Sequence, residues 1–409
     1  MTKQDIVRAA LRVWGRKLYQ RTTLGDVAAE LGVSKTALYR YFTGKQELVK
    51  AMDEYFYDDY ASFLKPYYEA ALKVSDRKEG VLLIIRGTME CYIRNRDLFI
   101  FALVQIYREW EEQYMTEQIN RRGINLEMLR RLWGDETVQP SPGLLLVTSL
   151  VFRLARFHKY KYTEDTALSG GQIREVMTEV EERLNAGLAL EKGRIEALEY
   201  EKLEALAAGA PGTKSGADEN GGILKAVGAV VAEAGPWNAS MEMVARRSGL
   251  SKSGLYAHFK SKQDMLRQLF KTEFERIAVL ARENTKLSAV PEERLYLGIF
   301  SIASYLRSRP EILVAMNWVR TRRLNMGRPP RKDRFRVFEN IGIEALRDDE
   351  NGHWIFFLIV SMMARWCRMN GGPGMLSRQP AEGDLSGLSN GSIRRLYRFV
   401  SLGFRGFEG

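Results

Sequence analysis

The stretch Ser34-Lys35-Thr36-Ala37-Leu38-Tyr39-Arg40-Tyr41-Phe42 occurs a second time, altered, as Ser251-Lys252-Ser253-Gly254-Leu255-Tyr256-Ala257-His258-Phe259, 217 residues further on. The same spacing holds without a gap across the flanks: Val27 and Ala28 recur as Val244 and Ala245, Gly32 as Gly249, Lys45-Gln46 as Lys262-Gln263. A repeat at so long an offset is a duplicated domain and not the turn of a solenoid. The 409 residues therefore divide into two units of about 200, each with room for a small domain and a larger body.

Each copy reads as a helix-turn-helix. Thr23 is placed to cap a helix whose apolar residues Leu24, Val27, Ala28 and Leu31 follow the spacing of one buried face. Gly32 supplies the left-handed residue that ends it, and Ser34 caps a second, short helix in which Leu38 and Phe42 look inward. Lys35, Thr36, Ala37, Tyr39, Arg40 and Tyr41 are left facing out. Small residues followed by cations and hydroxyls suit a helix entering a major groove walled by phosphates.

The pattern from Thr23 to Lys45, Thr-x-x-x-Val-Ala-x-x-x-Gly-Val-Ser-Lys-x-x-Leu-Tyr-x-Tyr-Phe-x-x-Lys, resembles the DNA-binding domain of TetR-type transcriptional regulators. Ser240 to Lys262 resembles it again, with Leu250 in place of Val33 and His258 in place of Tyr41. The resemblance implies an all-helical fold of two units, each a three-helix DNA-binding domain and a helical-bundle body. It also implies pairing of two bodies through their last long helices, normally between separate protomers. Here both copies lie in one polypeptide, so the expected form is a covalent pseudodimer; two independent units on a tether is the alternative.

Charge agrees with a polyanionic partner. The net charge is +11 and the isoelectric point about 9.5, and because acidic and basic residues balance over residues 1–208 the whole excess lies in the second half. Cys91 and Cys367 fall at non-equivalent places in the two repeats, which excludes a duplicated disulfide framework and favours buried thiols in a reducing, cytoplasmic setting. The chain opens directly into a helical pattern with no signal segment, and the apolar runs Gly143 to Phe152 and Trp354 to Met363 are about half the ~20 residues a membrane span requires.

Along the chain, the first helix places Ile6, Ala9, Ala10 and Val13 on one face, matched by Ile223, Ala226, Val227 and Val230. The segments from Thr43 to Glu47 and from Lys260 to Asp264 are helix starts with capping-box potential. The bodies repeat in fragments: Ala155-Arg156-Phe157 against Ala364-Arg365-Trp366, and Gly171-Gln172-Ile173-Arg174 against Gly391-Ser392-Ile393-Arg394. The expected organisation is a DNA-binding domain at 1–45, a body at 46–187, a connecting helix and linker at 188–221, a second DNA-binding domain at 222–262 and a second body at 263–409. A connecting helix of about 20 residues would span roughly 30 Å.

The expected DNA contacts are Thr23, Lys35, Thr36, Ala37, Tyr39, Arg40, Tyr41 and Lys45 in the first copy, and Ser240, Lys252, Ser253, Gly254, Tyr256, Ala257, His258 and Lys262 in the second. Lys35, Lys45, Lys252 and Lys262 read as phosphate contacts or, taken singly, as solvated lysines; inside two matching motifs the first reading is preferred. Tyr39 and Tyr256 sit beside Leu38 and Leu255, which already take the inward position, so their hydroxyls are expected to reach phosphate. Thr36, Ala37, Arg40 and Tyr41 would read bases in one half-site, and Ser253, Gly254, Ala257 and His258 in the other. Arg40 can make a bidentate contact with guanine and Ala257 cannot, so the half-sites should differ.

In the bodies, Arg156, Phe157 and His158, with Arg365 and Trp366, combine cations and aromatic rings in apolar helices. They read either as a pocket for an anionic or aromatic effector or as core rings with a snorkelling arginine. The basic run from Arg320 to Arg336 reads as a solvated loop or a second polyanion contact. No metal-ligand cluster, phosphate-cradling loop or catalytic constellation is present, so no cofactor or enzyme activity is implied. The expected function is a ligand-responsive DNA-binding repressor acting on an asymmetric or pseudo-palindromic operator; a helical scaffold with drifted motifs is the alternative.

Overall fold

Helix caps define the two copies of the duplicated domain in the computed structural model, which describes residues 1–17, 22–109, 112–125, 140–160, 170–209, 221–309, 311–313, 316, 337–338, 340–347, 349–369 and 389–407. In the first copy α1 (Lys3–Lys17), α2 (Leu24–Leu31) and α3 (Lys35–Tyr39) form a three-helix cluster. The Thr23 hydroxyl accepts from the Asp26 amide while the Asp26 carboxylate accepts from the Thr23 amide, a complete capping box. α2 stops at Gly32, whose φ of 67° lets its amide return to the carbonyls of Ala28 and Ala29. Ile6, Ala9, Ala10 and Val13 are buried together with Trp14.

Among the described residues every regular element is helical. α4 (Lys45–Ala71) leaves the first cluster, followed by α5 (Arg77–Arg94), α6 (Arg96–Glu109), α7 (Glu112–Asn120), α8 (Pro142–Tyr160), α9 (Gly170–Ala186), α10 (Lys192–Glu196) and α11 (Tyr200–Gly209). The second copy consists of α12 (Gly221–Asn238), α13 (Met241–Ser248) and α14 (Lys252–His258), after which come α15 (Lys262–Thr285), α16 (Pro291–Ser308), α17 (Asp349–Met369) and α18 (Asn390–Leu402). Ala226, Val227 and Val230 of α12 are buried, and Ile223 is half-buried. None of these helices is long and apolar enough to cross a membrane among the described residues.

The chain forms two compact units whose boundary does not follow the repeat. The first comprises Met1–Glu136, Leu150–Glu181 and Arg323–Arg328. Its core is aromatic: Trp14 meets Phe101 at 5.4 Å, Phe56 stacks on Tyr60 at 5.9 Å, Tyr60 on Tyr92 at 5.6 Å and Phe99 on His158 at 5.2 Å. Arg86 of α5 holds Glu181 of α9, and Arg122 bridges Glu54 and Asp58 of α4.

The second unit comprises Thr137–Ser149, Glu182–Arg322 and Pro329–Gly409. It thus includes the end of the first repeat as well as the second. At the start of its body the fully buried Glu273 of α15 meets Arg276 at 3.0 Å and Arg309 at 3.4 Å and accepts from the Tyr305 hydroxyl at 2.5 Å. The residue 217 positions earlier is Phe56. One junction is therefore packed with rings and its counterpart with a paired, hydrogen-bonded carboxylate.

Two expectations are corrected here. Residues 188–208 do not form one continuous connecting helix: α9 ends at Ala186, Gly187 follows at φ 58° and Ala189 at φ 57°, and α10 and α11 are separate short helices. Two left-handed residues so close together cannot continue an α-helix. The segment from Thr43 to Glu47 does start a helix but without a capping box, because Gly44 is the cap and the Glu47 carboxylate accepts instead from the amide and hydroxyl of Thr43 at 2.7 and 2.8 Å. These bonds hold the Glu47 carboxyl below its usual range. In the second copy the Ser261 hydroxyl caps the helix by accepting from the Asp264 amide, while the Asp264 carboxylate accepts from the Lys260 amide. Cys91 is buried, and burial pushes its thiol up to about 12; the Cys367 side chain, residues 210–220 and the run 320–336 lie outside the described residues.

Candidate nucleic-acid interface

α3 and α14 are each positioned by one anchored leucine and by a buried phenylalanine beyond it. Leu38 and Leu255 are fully buried, and Phe42 and Phe259 are buried just past the ends of the helices. The serine caps Ser34 and Ser251 accept from the amides of Ala37 and Gly254, which fixes the first turn. With one side held this way, Lys35, Thr36, Tyr39 and Arg40 are exposed on α3 and its end, and Lys252, Ser253, Tyr256, Ala257 and His258 on α14. Tyr39 and Tyr256 are 47% and 48% exposed, so their rings are not part of the core. Lys45 and Lys262, the first residues of α4 and α15, are half-buried.

The two copies differ in geometry as well as in residues. α3 ends at Tyr39, with Arg40 as its C-cap, whereas α14 continues to His258. Tyr41, expected among the outward base-reading residues, is half-buried, and its hydroxyl donates to the Met1 carbonyl at 2.9 Å. The opening residues fold back over the end of α3, where the Lys3 ammonium also lies 5.5 Å from the Phe42 ring centre. The counterpart of Tyr41 in the second copy, His258, is exposed.

Other expected contacts are engaged within their own copy. The Thr23 hydroxyl donates to Asp26 while accepting its amide, and the Ser240 hydroxyl accepts from the Met243 amide. Ala37 and Gly254 are half-buried beside the serine caps; a Cβ on Gly254 would lie 3.2 Å from the Ser251 hydroxyl. The Lys35 ammonium lies over the Tyr39 ring at 5.8 Å.

The sequence pattern did not single out Arg246 and Arg247, which occupy the last turn of α13 where α2 carries Ala29 and Glu30. Arg247 pairs with Glu233 of α12 at 2.5 Å, and in the first copy Arg12 of α1 pairs with Glu30 of α2 at 3.2 Å. Glu30 and Arg247 are equivalent positions but their partners are not, since Arg12 corresponds to Ala229 and Glu233 to Arg16; a cross-helix pair of opposite polarity is formed one turn further along, and the second copy gains exposed positive charge. Comparing the two copies position by position reveals it.

Of the candidate effector residues, Phe157 and His158 pack into a helical body. Phe157 and His158 are buried in the first unit, with the His158 Nε2 2.7 Å from the Tyr92 carbonyl. Burial, together with the nearby Arg96 cation and against the pull of that bond, lowers the imidazole to about 4. His158 is thus a neutral core side chain at neutral pH, and Arg156 lies over the Phe152 ring at 5.9 Å. The side chains of Arg365 and Trp366 lie outside the described residues.

A capped helix, a left-handed glycine and a second capped helix packed on a first define a helix-turn-helix domain, and this chain contains two. Residues 6–52 and 223–269 each match the family described as bacterial regulatory proteins, tetR family. The chain thus carries two TetR-type helix-turn-helix regions in one polypeptide. The family is one of transcriptional regulators and not of enzymes. Over 139 residues the chain is 30% identical to YuxN of Bacillus subtilis (strain 168), an uncharacterized HTH-type transcriptional regulator, covering 27% of this chain and 48% of YuxN. It is 33% identical over 103 residues to YerO of the same organism, described in the same terms, covering 25% of this chain and 35% of YerO. The matches thus span about half or less of these relatives. Among solved structures it is similar to the TetR family regulator PfmR from Thermus thermophilus, with 21% identity, a TM-score of 0.30, and coverage of 43% of this chain and 95% of that one. A TetR/AcrR family regulator from Thermobifida fusca aligns with 19% identity and a TM-score of 0.28, covering 44% of this chain and 94% of that one.

Proposed function

We propose that this chain binds duplex DNA through both helix-turn-helix domains and represses transcription at an operator with two unlike half-sites. The observation that carries the reading is the pair of outward surfaces: Lys35, Thr36, Tyr39 and Arg40 in one copy, Lys252, Ser253, Tyr256, Ala257 and His258 in the other. Lysines and tyrosines at matching positions supply a common phosphate grip, while the differing residues supply different base contacts. Arg246 and Arg247 add cationic surface to the second domain alone. The phosphate grip requires binding to weaken steeply with salt as counterions are released.

The two repeats act as an intramolecular pair in this reading, so one chain occupies one operator. A small-molecule effector bound in a body shifts the population toward a spacing of α3 and α14 that no longer fits major grooves about 34 Å apart.

The test is selection of bound duplexes from a random pool, with the mass of the complex recorded. One 46.8 kDa chain on two unlike half-sites supports the proposal. Arg40→Ala should then erase about 1–3 kcal/mol of preference at one base pair of one half-site and leave the other unchanged. Two chains on a palindrome would refute the single-chain reading, and no enrichment at low salt would favour a helical scaffold.

A further inference from the structure

Residues 188–209 make more contacts than a tether needs. The Leu188 and Leu190 amides donate to the carbonyls of Val400 and Ser401 at 2.8 and 3.1 Å, just where α9 and α18 end. Gly187 and Gly403, with φ of 58° and 61°, interlock there. A Cβ on Gly187 would lie 2.7 Å from the Gly403 nitrogen and 2.8 Å from the Phe399 oxygen, and one on Gly403 would lie 2.6 Å from the Asn185 carbonyl carbon. Farther along, Ile195 of α10 and Leu203 and Ala207 of α11 are buried, α10 packing on α18 and α11 on α16.

The centre of this docking is Glu204, a carboxylate 8% exposed. Arg394 of α18 grips it with two nitrogens at 2.8 and 2.9 Å, Asn390 donates at 2.7 Å, and the Tyr296 hydroxyl of α16 donates at 2.5 Å. Arg394 also holds Glu201 at 2.6 Å and covers the Tyr200 ring at 5.5 Å; that ring meets Tyr296 edge-on at 4.9 Å. Arg194 reaches Glu292 at 3.3 Å. The groups that grip Glu204 all come from the second repeat, and a buried carboxylate this fully satisfied holds a unique geometry.

We infer that residues 188–209 are a docking element that fastens the end of the first repeat to the α16–α18 face of the second, and that this attachment does not depend on the covalent link between Gly209 and Gly221. The partner that face accepts is this chain's own segment. The attachment stands whether or not the DNA-binding reading does.

The experiment places a protease recognition sequence at residues 212–218 of the full chain, cuts it, and follows the fragments by size exclusion and by energy transfer between fluorophores on dilution. The cut protein should run at the mass of the intact chain and stay associated at nanomolar concentration. Arg394→Met, which leaves Glu204 buried without its cation, should raise the fragment dissociation constant by about a hundredfold or more. Adding Glu204→Gln should restore part of the loss. Lys271→Met, on an exposed position of α15, should change nothing. If uncut Arg394→Met fails to fold, Glu204→Gln alone gives the reading, with about a tenfold or greater weakening expected. Separation of the wild-type fragments at micromolar concentration would overturn the inference, as would an unchanged dissociation constant in both variants.

Discussion

Replacing Gly187 by alanine tests the joint between α9 and α18 most directly. Two costs add at this position. The backbone is left-handed, φ 58°, which costs an L-residue with a side chain about 1–2 kcal/mol. The new methyl also meets backbone atoms, the Gly403 nitrogen at 2.7 Å and the Phe399 oxygen at 2.8 Å, which cannot rotate away as a flexible side chain would. Overpacking of this kind costs about 1–3 kcal/mol. The sum, about 2–5 kcal/mol, corresponds to a fall of roughly 5–15 °C in melting temperature for a unit of this size. Gly249→Ala is the internal control, since its φ of 70° is similar but nothing lies within 4 Å of the added carbon. It should cost only the conformational part, about 1–2 kcal/mol. Differential scanning calorimetry of the two variants reads the difference. Equal losses would refute the steric half of the argument and, with it, the close approach of the two helix ends.

Three further outcomes rest on particular contacts. His158 titrates below its ordinary value of 6.5, at about 4, so the folded state resists protonation; stability should fall as pH drops from about 6.5 to about 4, by about 3 kcal/mol in total. His158→Phe should flatten that part of the stability curve in urea titrations at stepped pH, and an unchanged slope would mean other groups produce it. Tyr41→Phe removes the bond to Met1 and should weaken binding at the first half-site by about 0.5–1.5 kcal/mol without altering base preference. A changed preference in a competition assay would instead show that the hydroxyl reads a base. Glu47→Gln should lose the pH dependence of the α4 start: the lowered carboxyl stabilises above its unfolded value, and that contribution disappears as pH falls through the folded one, visible in amide exchange at Thr43.

What the sequence determined by itself is the local framework. Thr23, Ser34, Ser240 and Ser251 cap the helices they precede, Gly32 and Gly249 take the left-handed turn, and Leu38 and Leu255 are the inward residues. Caps, turns and one-sided apolar spacing are decided within a few residues of chain, so they are readable without knowing what lies across the core. Tertiary structure decided what happens to groups whose partners are remote. Tyr41 looked outward by spacing, yet its hydroxyl found the Met1 carbonyl; His158 read as a pocket or a core residue, and it is buried against Tyr92 and Phe99. Glu204 lay within the stretch expected to be a connecting helix and became the buried anchor of the segment, because Arg394, Asn390 and Tyr296 converge on it from about 90 to 190 positions away. A carboxylate is buried or solvated according to whether cations and donors meet it in space, and no period along the chain encodes that meeting.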